Sequence, residues 1–110
     1  MRMINKLIAA ALLTVAVCHP INAQQNMENV LNERQRNMVA IACLEAKGDL
    51  ENLSEAIHTG LDEGLTISEI KEALSHLYAY TGFPRSLNAL GVLRQVLEER
   101  KAKGIIDKEG

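Results

Sequence analysis

Apolar residues recur every three or four positions in four consecutive stretches, which is the spacing of one face of an α-helix. The four lines are Met38, Ile41, Ala42 and Leu44; Leu50, Leu53, Ile57 and Leu61; Ile67, Ile70, Leu74 and Leu77; and Leu87, Leu90, Leu93 or Arg94, and Leu97. Apolar and polar residues alternate in none of these stretches, so we expect no β-strand. The pattern therefore predicts four helices.

Residues that start and stop helices separate the four stretches. Asp49 and Thr66 stand at N-cap positions, and Thr66 with Glu69 has the spacing of a capping box. Asn32 and Gln35 have the same spacing ahead of the first helix. Glycines are predicted to end the first three helices, at Gly48, Gly64 and Gly82.

The fourth helix carries more apolar residues than one face needs. Pro84 suits its first turn, and the line from Leu87 to Leu97 is predicted to be its inner face. Three further apolar residues lie off that line, at Ala89, Val92 and Val96, so this helix is expected to contact neighbours on two sides. Short loops make successive helices antiparallel. The predicted fold class is all-α, built from antiparallel helical hairpins.

The first 23 residues have the features of a secretory signal peptide. Basic residues precede an apolar run that ends at Cys18, and Ala23 closes a small-residue cleavage site. The run is shorter than the roughly 20 residues that span a bilayer. We therefore expect cleavage after Ala23, no stable membrane anchor afterwards, and an exported protein that is periplasmic or secreted. Lipidation at Cys18 is the alternative, which the large Val17 disfavours.

The composition of residues 24–110 divides this part of the chain into three segments. Residues 24–31 are polar and predicted to be a flexible arm, residues 32–103 hold the helical domain, and residues 104–110 form a charged tail. The residues that remain after cleavage are few, so their hydrophobic core alone would stabilise the fold only marginally. A homo-oligomer, which buries more apolar surface, is therefore expected. Lys and Arg number 12 against 14 Asp and Glu, so no nucleic-acid-binding surface is expected.

Cys43 would be the only thiol left after removal of residues 1–23. A single thiol excludes an intrachain disulfide. We expect Cys43 to be a buried, small apolar residue of the first helix, and a reactive thiol is the alternative.

The third helix carries the most informative polar residues. Glu69, Glu72, His76 and Tyr80 fall on one line of its surface, beside the apolar line. Glu72 and His76 are four residues apart, so the carboxylate can orient the imidazole and favour its protonated form, as acid–base chemistry needs. The alternative is an exposed ion pair that stabilises the helix. The spacings of the His and Glu residues, including His58 of the second helix, fit no metal-binding pattern, so no metal is expected.

A longer set of residues occurs in a specific order. It comprises His58-Thr-Gly-Leu-Asp-Glu-Gly64, Thr66-Ile-Ser-Glu-Ile70, Glu72, Tyr80-Thr-Gly-Phe-Pro84 and Asn88-Ala89-Leu90. The stretch from Leu31 to Leu90 resembles the carboxymuconolactone decarboxylase family, which includes the alkylhydroperoxidase D-like proteins. The resemblance implies an all-α fold and assembly as a trimer or a hexamer.

The peroxidase branch of that family has two redox cysteines, seven and four residues before its histidine. Glu51 and Ser54 stand at those positions here, so dithiol peroxide reduction is not available. Peroxiredoxin-type antioxidant activity of the family, with Cys43 as its thiol, is one alternative function. A non-catalytic oligomeric module is another.

The decarboxylase branch needs no cysteine and fits better. The resemblance implies a cofactor-free lyase that acts on a small carboxylated lactone or a related acid. His58 is the implied proton-transfer residue, and Glu72 and His76 orient or assist it. Arg85 is expected to hold a substrate carboxylate. Tyr80 either contacts the substrate or packs, half-buried, at the end of the third helix. Carboxylated lactones of this kind are metabolised inside cells, whereas residues 1–23 predict export. The resemblance therefore does not identify the lactone on which this protein acts.

Overall fold

The helices of the structure follow the caps and apolar lines of the sequence. The computed structural model describes residues 30–110, so the predicted signal peptide 1–23, Cys18 and nearly all of the arm 24–31 lie outside the described residues. After Asn32 come α1 (Glu33–Lys47), α2 (Leu50–Asp62), α3 (Ile67–His76), α4 (Tyr78–Thr81) and α5 (Phe83–Ala102). None of these helices combines the length and apolarity that a membrane crossing needs. The described residues contain no strand, and the all-α fold class is confirmed.

Two predicted N-caps are confirmed. The Asp49 carboxylate accepts the side-chain amide of Asn52 at 2.7 Å and its backbone N–H at 3.2 Å. Thr66 Oγ1 accepts the Glu69 backbone N–H at 3.1 Å. Each cap satisfies a first-turn N–H that has no partner within its helix. The hydrogen bonds from Asn52 also hold the pKa of Asp49 below its ordinary value.

The third predicted helix is divided at Leu77 into α3 and α4. The Tyr80 and Thr81 N–H groups both donate to the Leu77 carbonyl at 2.9 Å. The bond from Tyr80 spans three residues instead of four, so the chain tightens before Gly82 ends it at a φ of 95°. The prediction of one continuous helix up to Gly82 is wrong at this point.

The core lies where α1, α2, α3 and α5 face one another. Its buried apolar residues are Ile41, Leu53, Ile57, Leu61, Leu65, Ile70, Leu74, Ala89, Leu93 and Val96. Gly60 allows α2 to approach α1 closely, because a Cβ there would lie 2.8 Å from Leu65 Cδ1 and 3.3 Å from Ile41 Cδ1. The site residues on α2 are therefore carried by a tightly packed helix.

The buried face of α5 differs from the predicted one. The structure buries Ser86, Ala89, Leu93, Val96 and Arg100. Ser86 enters the core because its hydroxyl donates to the Leu74 carbonyl at 2.7 Å. Leu87, which the sequence predicts to face the core, is 55% exposed, and Leu90 and Leu97 are half-buried. The predicted inner face is therefore wrong at Leu87.

The C-terminal segment, residues 104–110, packs back on the domain. The carbonyls of Lys108 and Glu109 accept the N–H groups of Ile67 and Ser68, each at 2.9 Å. These are the first two N–H groups of α3, which a helix cannot satisfy internally. The residues predicted to be a charged tail thus complete the N-terminus of α3.

Candidate functional site

His58 lies at the edge of the core, where α2 packs against the C-terminal half of α5. Its neighbour Ile57 is fully buried, whereas the His58 side chain keeps 30% of its surface exposed. His58 Nδ1 lies 3.3 Å from Arg100 Nη1, and His58 Nε2 lies 3.7 Å from Glu99 Oε2. The second distance suits an ion pair with a protonated ring and is too long for a hydrogen bond. One ring nitrogen thus has a basic neighbour and the other an acidic one.

Arg100 is the centre of a cluster of charged residues, and its own side chain is 5% exposed. Its Nε lies 2.9 and 3.1 Å from the two carboxylate oxygens of Asp107, which is itself 9% exposed. Its Nη2 donates to Asp62 Oδ1 at 2.8 Å and to Asp107 Oδ1 at 2.9 Å. The hydrogen bonds, first those with Asp107, raise the pKa of Arg100 although burial opposes them. We refer to His58, Asp62, Glu99, Arg100 and Asp107 as the His58 cluster.

Glu72 and His76 lie elsewhere, in an open groove on the outer side of α3. This α3 groove has a volume of about 490 Å³ and is lined by Ser68, Lys71, Glu72, Ser75 and His76. Both predicted site residues are exposed there. The Tyr80 ring lies against His76, with the ring centroids 5.7 Å apart. The three side chains therefore share one surface, as their spacing predicts.

Arg85 lies at the start of α5, against the end of α1. Its guanidinium donates to the Ala46 carbonyl, near the end of α1, where carbonyls have no partner within the helix. In this structure Arg85 stabilises a helix end. Tyr80 is 76% exposed, because its ring packs on the exposed His76. The half-buried packing expected for Tyr80 is therefore wrong.

The structure thus divides the predicted site residues between two places. The polar neighbours of His58 are Glu99 and Arg100, whereas Glu72 and His76 line the α3 groove. The acidic group facing His58 is Glu99 instead of Glu72. Within residues 30–110, no three His, Cys, Asp or Glu side chains are placed to hold a metal ion.

The sequence pattern of the carboxymuconolactone decarboxylase family matches residues 9–95. The chain belongs to this family. No curated protein and no solved structure matches it. The family match includes His58 and the α3 groove, and it begins inside the segment predicted to be a signal peptide. Glu99, Arg100 and Asp107 lie beyond the matched residues.

Two charged residues of this carboxymuconolactone decarboxylase family member are buried and were not singled out from the sequence. Arg100 is 4% exposed and Glu45 is 1% exposed. Glu45 lies four residues after Ile41 of the predicted apolar line, which was a signal in the sequence. Arg100, in contrast, lies four residues after Val96, which is not on the line predicted for α5. Thr81 Oγ1 donates to Glu45 Oε1 at 2.7 Å. Glu45 Oε2 is buried without a hydrogen-bond partner in the described part of the chain.

Cys43 is exposed, so the burial expected for it is wrong. The buried positions of α1 are Ile41 and Glu45, which lie four residues apart on the same side of the helix. Cys43 falls midway between them in sequence and therefore faces away from the core. Its thiol is free and open to solvent reagents.

Proposed function

We propose that this protein is an exported, cofactor-free carboxy-lyase that acts on a small carboxylated lactone or a related acid. The observation that carries the proposal is that His58 lies partly exposed between a basic and an acidic side chain, one at each ring nitrogen. Arg100 donates to Nδ1 of the neutral ring, and Nε2 faces the Glu99 carboxylate. A group that gains and loses a proton in every turnover needs both states to be accessible near neutral pH.

The proposed reaction breaks the bond between a substrate carbon and its carboxylate. CO₂ leaves, and the electron pair of that bond stays on the substrate as an enolate. The protonated His58 gives its Nε2 proton to the same carbon, which completes the new C–H bond. The ring is left neutral with its proton on Nδ1, and proton exchange with water returns it to the Nε2–H form that accepts from Arg100. A further proton from water at Nδ1 restores the protonated ring for the next turnover.

The remaining predicted residues are proposed to bind the substrate or assist His58. The α3 groove, with Glu72 and His76, has the volume and polarity for a small acid. Arg85 is exposed, and a guanidinium has donors beyond the one that Ala46 accepts, so Arg85 can also bind a carboxylate. Tyr80 stands beside His76 at the end of this surface. A homo-oligomer, a trimer or a hexamer, is proposed to bring the groove of one subunit to His58 of another.

Exposed apolar residues support this assembly. Tyr78, Phe83 and Leu87 are 57%, 63% and 55% exposed. With Ser75, Ser86 and Leu90 they line an apolar cavity of about 310 Å³. Contiguous apolar surface of this kind is typical of an interface, and a second copy of the chain would cover it.

Sedimentation velocity of matched variants tests the assembly. Leu87→Asp is expected to convert the oligomer to monomer, because it places a carboxylate in the apolar cavity. Asn88→Asp, at the neighbouring exposed position, is the control and is expected to leave the oligomer intact. A monomeric wild type, or an oligomer unaffected by Leu87→Asp, would contradict the proposal.

The lyase activity is tested by CO₂ release from a panel of carboxylated lactones and β-keto acids. The wild type is expected to turn over at least one of them. His58→Gln, whose amide oxygen can still accept from Arg100, is expected to lower the rate by about 10²-fold or more. Thermal unfolding of both proteins controls for folding. Equal rates would remove His58 from the chemistry, and no turnover by the wild type would contradict the lyase.

Export is proposed on the sequence of residues 1–23. Expression of the full chain in a Gram-negative host, followed by N-terminal sequencing, tests it. Periplasmic or secreted protein that begins at Gln24 is the expected result. Cytoplasmic protein that retains Met1 would contradict it.

The exposure of Cys43 favours one second candidate, peroxide reduction by a single thiol with an external thiol as reductant. The thiolate would take one oxygen of the peroxide to form a sulfenic acid, and the rest of the peroxide would leave as an alcohol or water. Two molecules of the external thiol would then reduce the sulfenic acid to the thiol and water and would be oxidised to a disulfide. Thiol-dependent peroxide consumption of the wild type and Cys43→Ser tests this activity. Equal consumption by the two proteins would contradict it.

A further inference from the structure

The contact between Arg100 and His58 fixes the position of a proton. Arg100 Nη1 lies 3.3 Å from His58 Nδ1. A guanidinium has N–H donors and no acceptor, so a hydrogen bond here requires His58 Nδ1 to be the acceptor. The neutral ring must then carry its proton on Nε2, the nitrogen that faces Glu99.

Arg100 is itself held in place. Asp107 binds its Nε and Nη2, and Asp62 binds its Nη2, all at 2.8 to 3.1 Å. The side chains of Arg100 and Asp107 are 5% and 9% exposed, so water competes little for the hydrogen bonds between these two residues. Nη1 is left directed at the imidazole.

The backbone around Asp107 is anchored on both sides. The Ile105 N–H donates to the Arg100 carbonyl at 3.0 Å, and the Lys108 carbonyl accepts the Ile67 N–H at 2.9 Å. The C-terminal segment thus places the Asp107 carboxylate on Arg100 from a fixed position. This segment lies outside the residues that the family pattern matches.

We propose that Arg100 is a positioning residue for His58, which it holds in the Nε2–H tautomer, and that Asp107 of the C-terminal segment holds Arg100 for this purpose. The inference rests on the proposed proton transfer by His58 for its catalytic meaning. Arg100 supports the neutral Nε2–H ring, the form to which His58 returns between turnovers. The contact therefore orients the ring so that Nε2 and its proton face Glu99.

A long-range ¹H–¹⁵N correlation spectrum of the full-length mature protein tests the inference, because it shows which ring nitrogen carries the proton. The spectrum is recorded at about pH 8.5, well above the ordinary pKa of an imidazole. His58 is expected almost wholly as the Nε2–H tautomer. The exposed His76 of the same sample is the internal control, and it is expected to exchange between the two tautomers.

Substitution of the positioning residues extends the test. Arg100→Met removes the donor while keeping most of the side chain, and it is expected to release His58 into the same tautomer mixture as His76. Arg100→Lys, which restores a donor, is expected to recover part of the Nε2–H preference. If Arg100→Met does not fold, Asp107→Asn, which keeps Arg100 but weakens its anchoring, replaces it in this test. Its expected effect is a smaller shift in the same direction.

Kinetics separates this inference from the proposed function. Arg100→Met is expected to lower kcat by at least about tenfold with little change in KM, since the nearly buried Arg100 is not among the residues proposed to bind the substrate. An active wild type whose His58 carries its proton on Nδ1 would overturn the inference alone. An Nε2–H His58 in a wild type without turnover would overturn the proposed function and leave the positioning intact.

Discussion

The His58 cluster and the α3 groove contain the same kinds of side chain in opposite surroundings. In the cluster, Arg100 and Asp107 are nearly buried, and each has hydrogen bonds to fixed partners. In the groove, Glu72 and His76 are exposed and face water. A charge pair held by buried partners orients a ring, whereas an exposed pair at helical spacing contributes only a few tenths of a kcal/mol.

The C-terminal segment connects the two regions. Asp107 binds Arg100 of the cluster, and the carbonyls of Lys108 and Glu109 cap the helix that carries the groove. The same short segment thus supports a buried ion pair on one side and a helix N-terminus on the other. The comparison teaches that residues outside a family's sequence pattern can determine how its histidine is held.

The largest expected effect is on the free energy of unfolding, when Arg100 at the centre of the His58 cluster is replaced and compared with an exposed arginine. Arg100→Ala leaves the nearly buried Asp107 without its partner, and we expect it to lower the free energy of unfolding by about 3 kcal/mol. Arg94 of the same helix is 82% exposed and pairs with Glu98 at 3.1 Å. Arg94→Ala is expected to cost less than about 0.5 kcal/mol. Urea unfolding compares them, and similar losses would contradict the distinction.

The packing of the helix that carries His58 gives the next effect. Gly60→Ala would place a Cβ 2.8 Å from Leu65 Cδ1 and 3.3 Å from Ile41 Cδ1 in the core. We expect it to lower the free energy of unfolding by about 1–3 kcal/mol. Gly91→Ala, on α5 with no atom within 4 Å of the new Cβ, is the control. It is expected to raise stability by about 0.5–1 kcal/mol. A Gly60→Ala protein as stable as the wild type would show that α2 is loosely packed.

The caps of α2 and α3 give the smallest effect and differ in their dependence on pH. Thr66→Ala is expected to lower the free energy of unfolding by about 1 kcal/mol at any pH, because the hydroxyl is uncharged. Asp49 has a folded-state pKa below its ordinary value of 3.8. Its charge therefore stabilises the fold fully above that value, and this contribution disappears as the pH falls through the lowered pKa.

Urea unfolding at about pH 6 and about pH 2 distinguishes the contribution of Asp49 to stability from that of Thr66. Asp49→Asn keeps a capping oxygen and removes the charge. It is expected to be less stable than the wild type at the higher pH, and this deficit is expected to be smaller at the lower one. The deficit of Thr66→Ala is expected to be the same at both. A pH-independent deficit of Asp49→Asn would contradict the role of the Asp49 charge.

The sequence predicts the features that depend on near neighbours along the chain. The helices that start after Asp49 and Thr66, and the line that joins Glu72 to Tyr80, depend on spacings of three to four residues. The inner face of α5 could not be predicted, because burial of Ser86 depends on the Leu74 carbonyl of another helix.

The polar neighbours of His58 could not be predicted from the sequence for the same reason. Arg100 lies 42 residues after His58 and 38 residues after Asp62. Periodicity along one helix carries no information about such pairs. The buried face of α5 that contains Arg100 also differs from the predicted one, so nothing in the sequence indicated that Arg100 is buried and needs an acidic partner.

The central claim is that His58 carries the chemistry and that the α3 groove assists it. Steady-state decarboxylation by the wild type, His58→Gln and His76→Gln under identical conditions tests this claim most directly. We predict a loss in kcat of about 10²-fold or more for His58→Gln and of about tenfold or less for His76→Gln. A His58→Gln protein as active as the wild type, or a larger loss for His76→Gln, would contradict the claim.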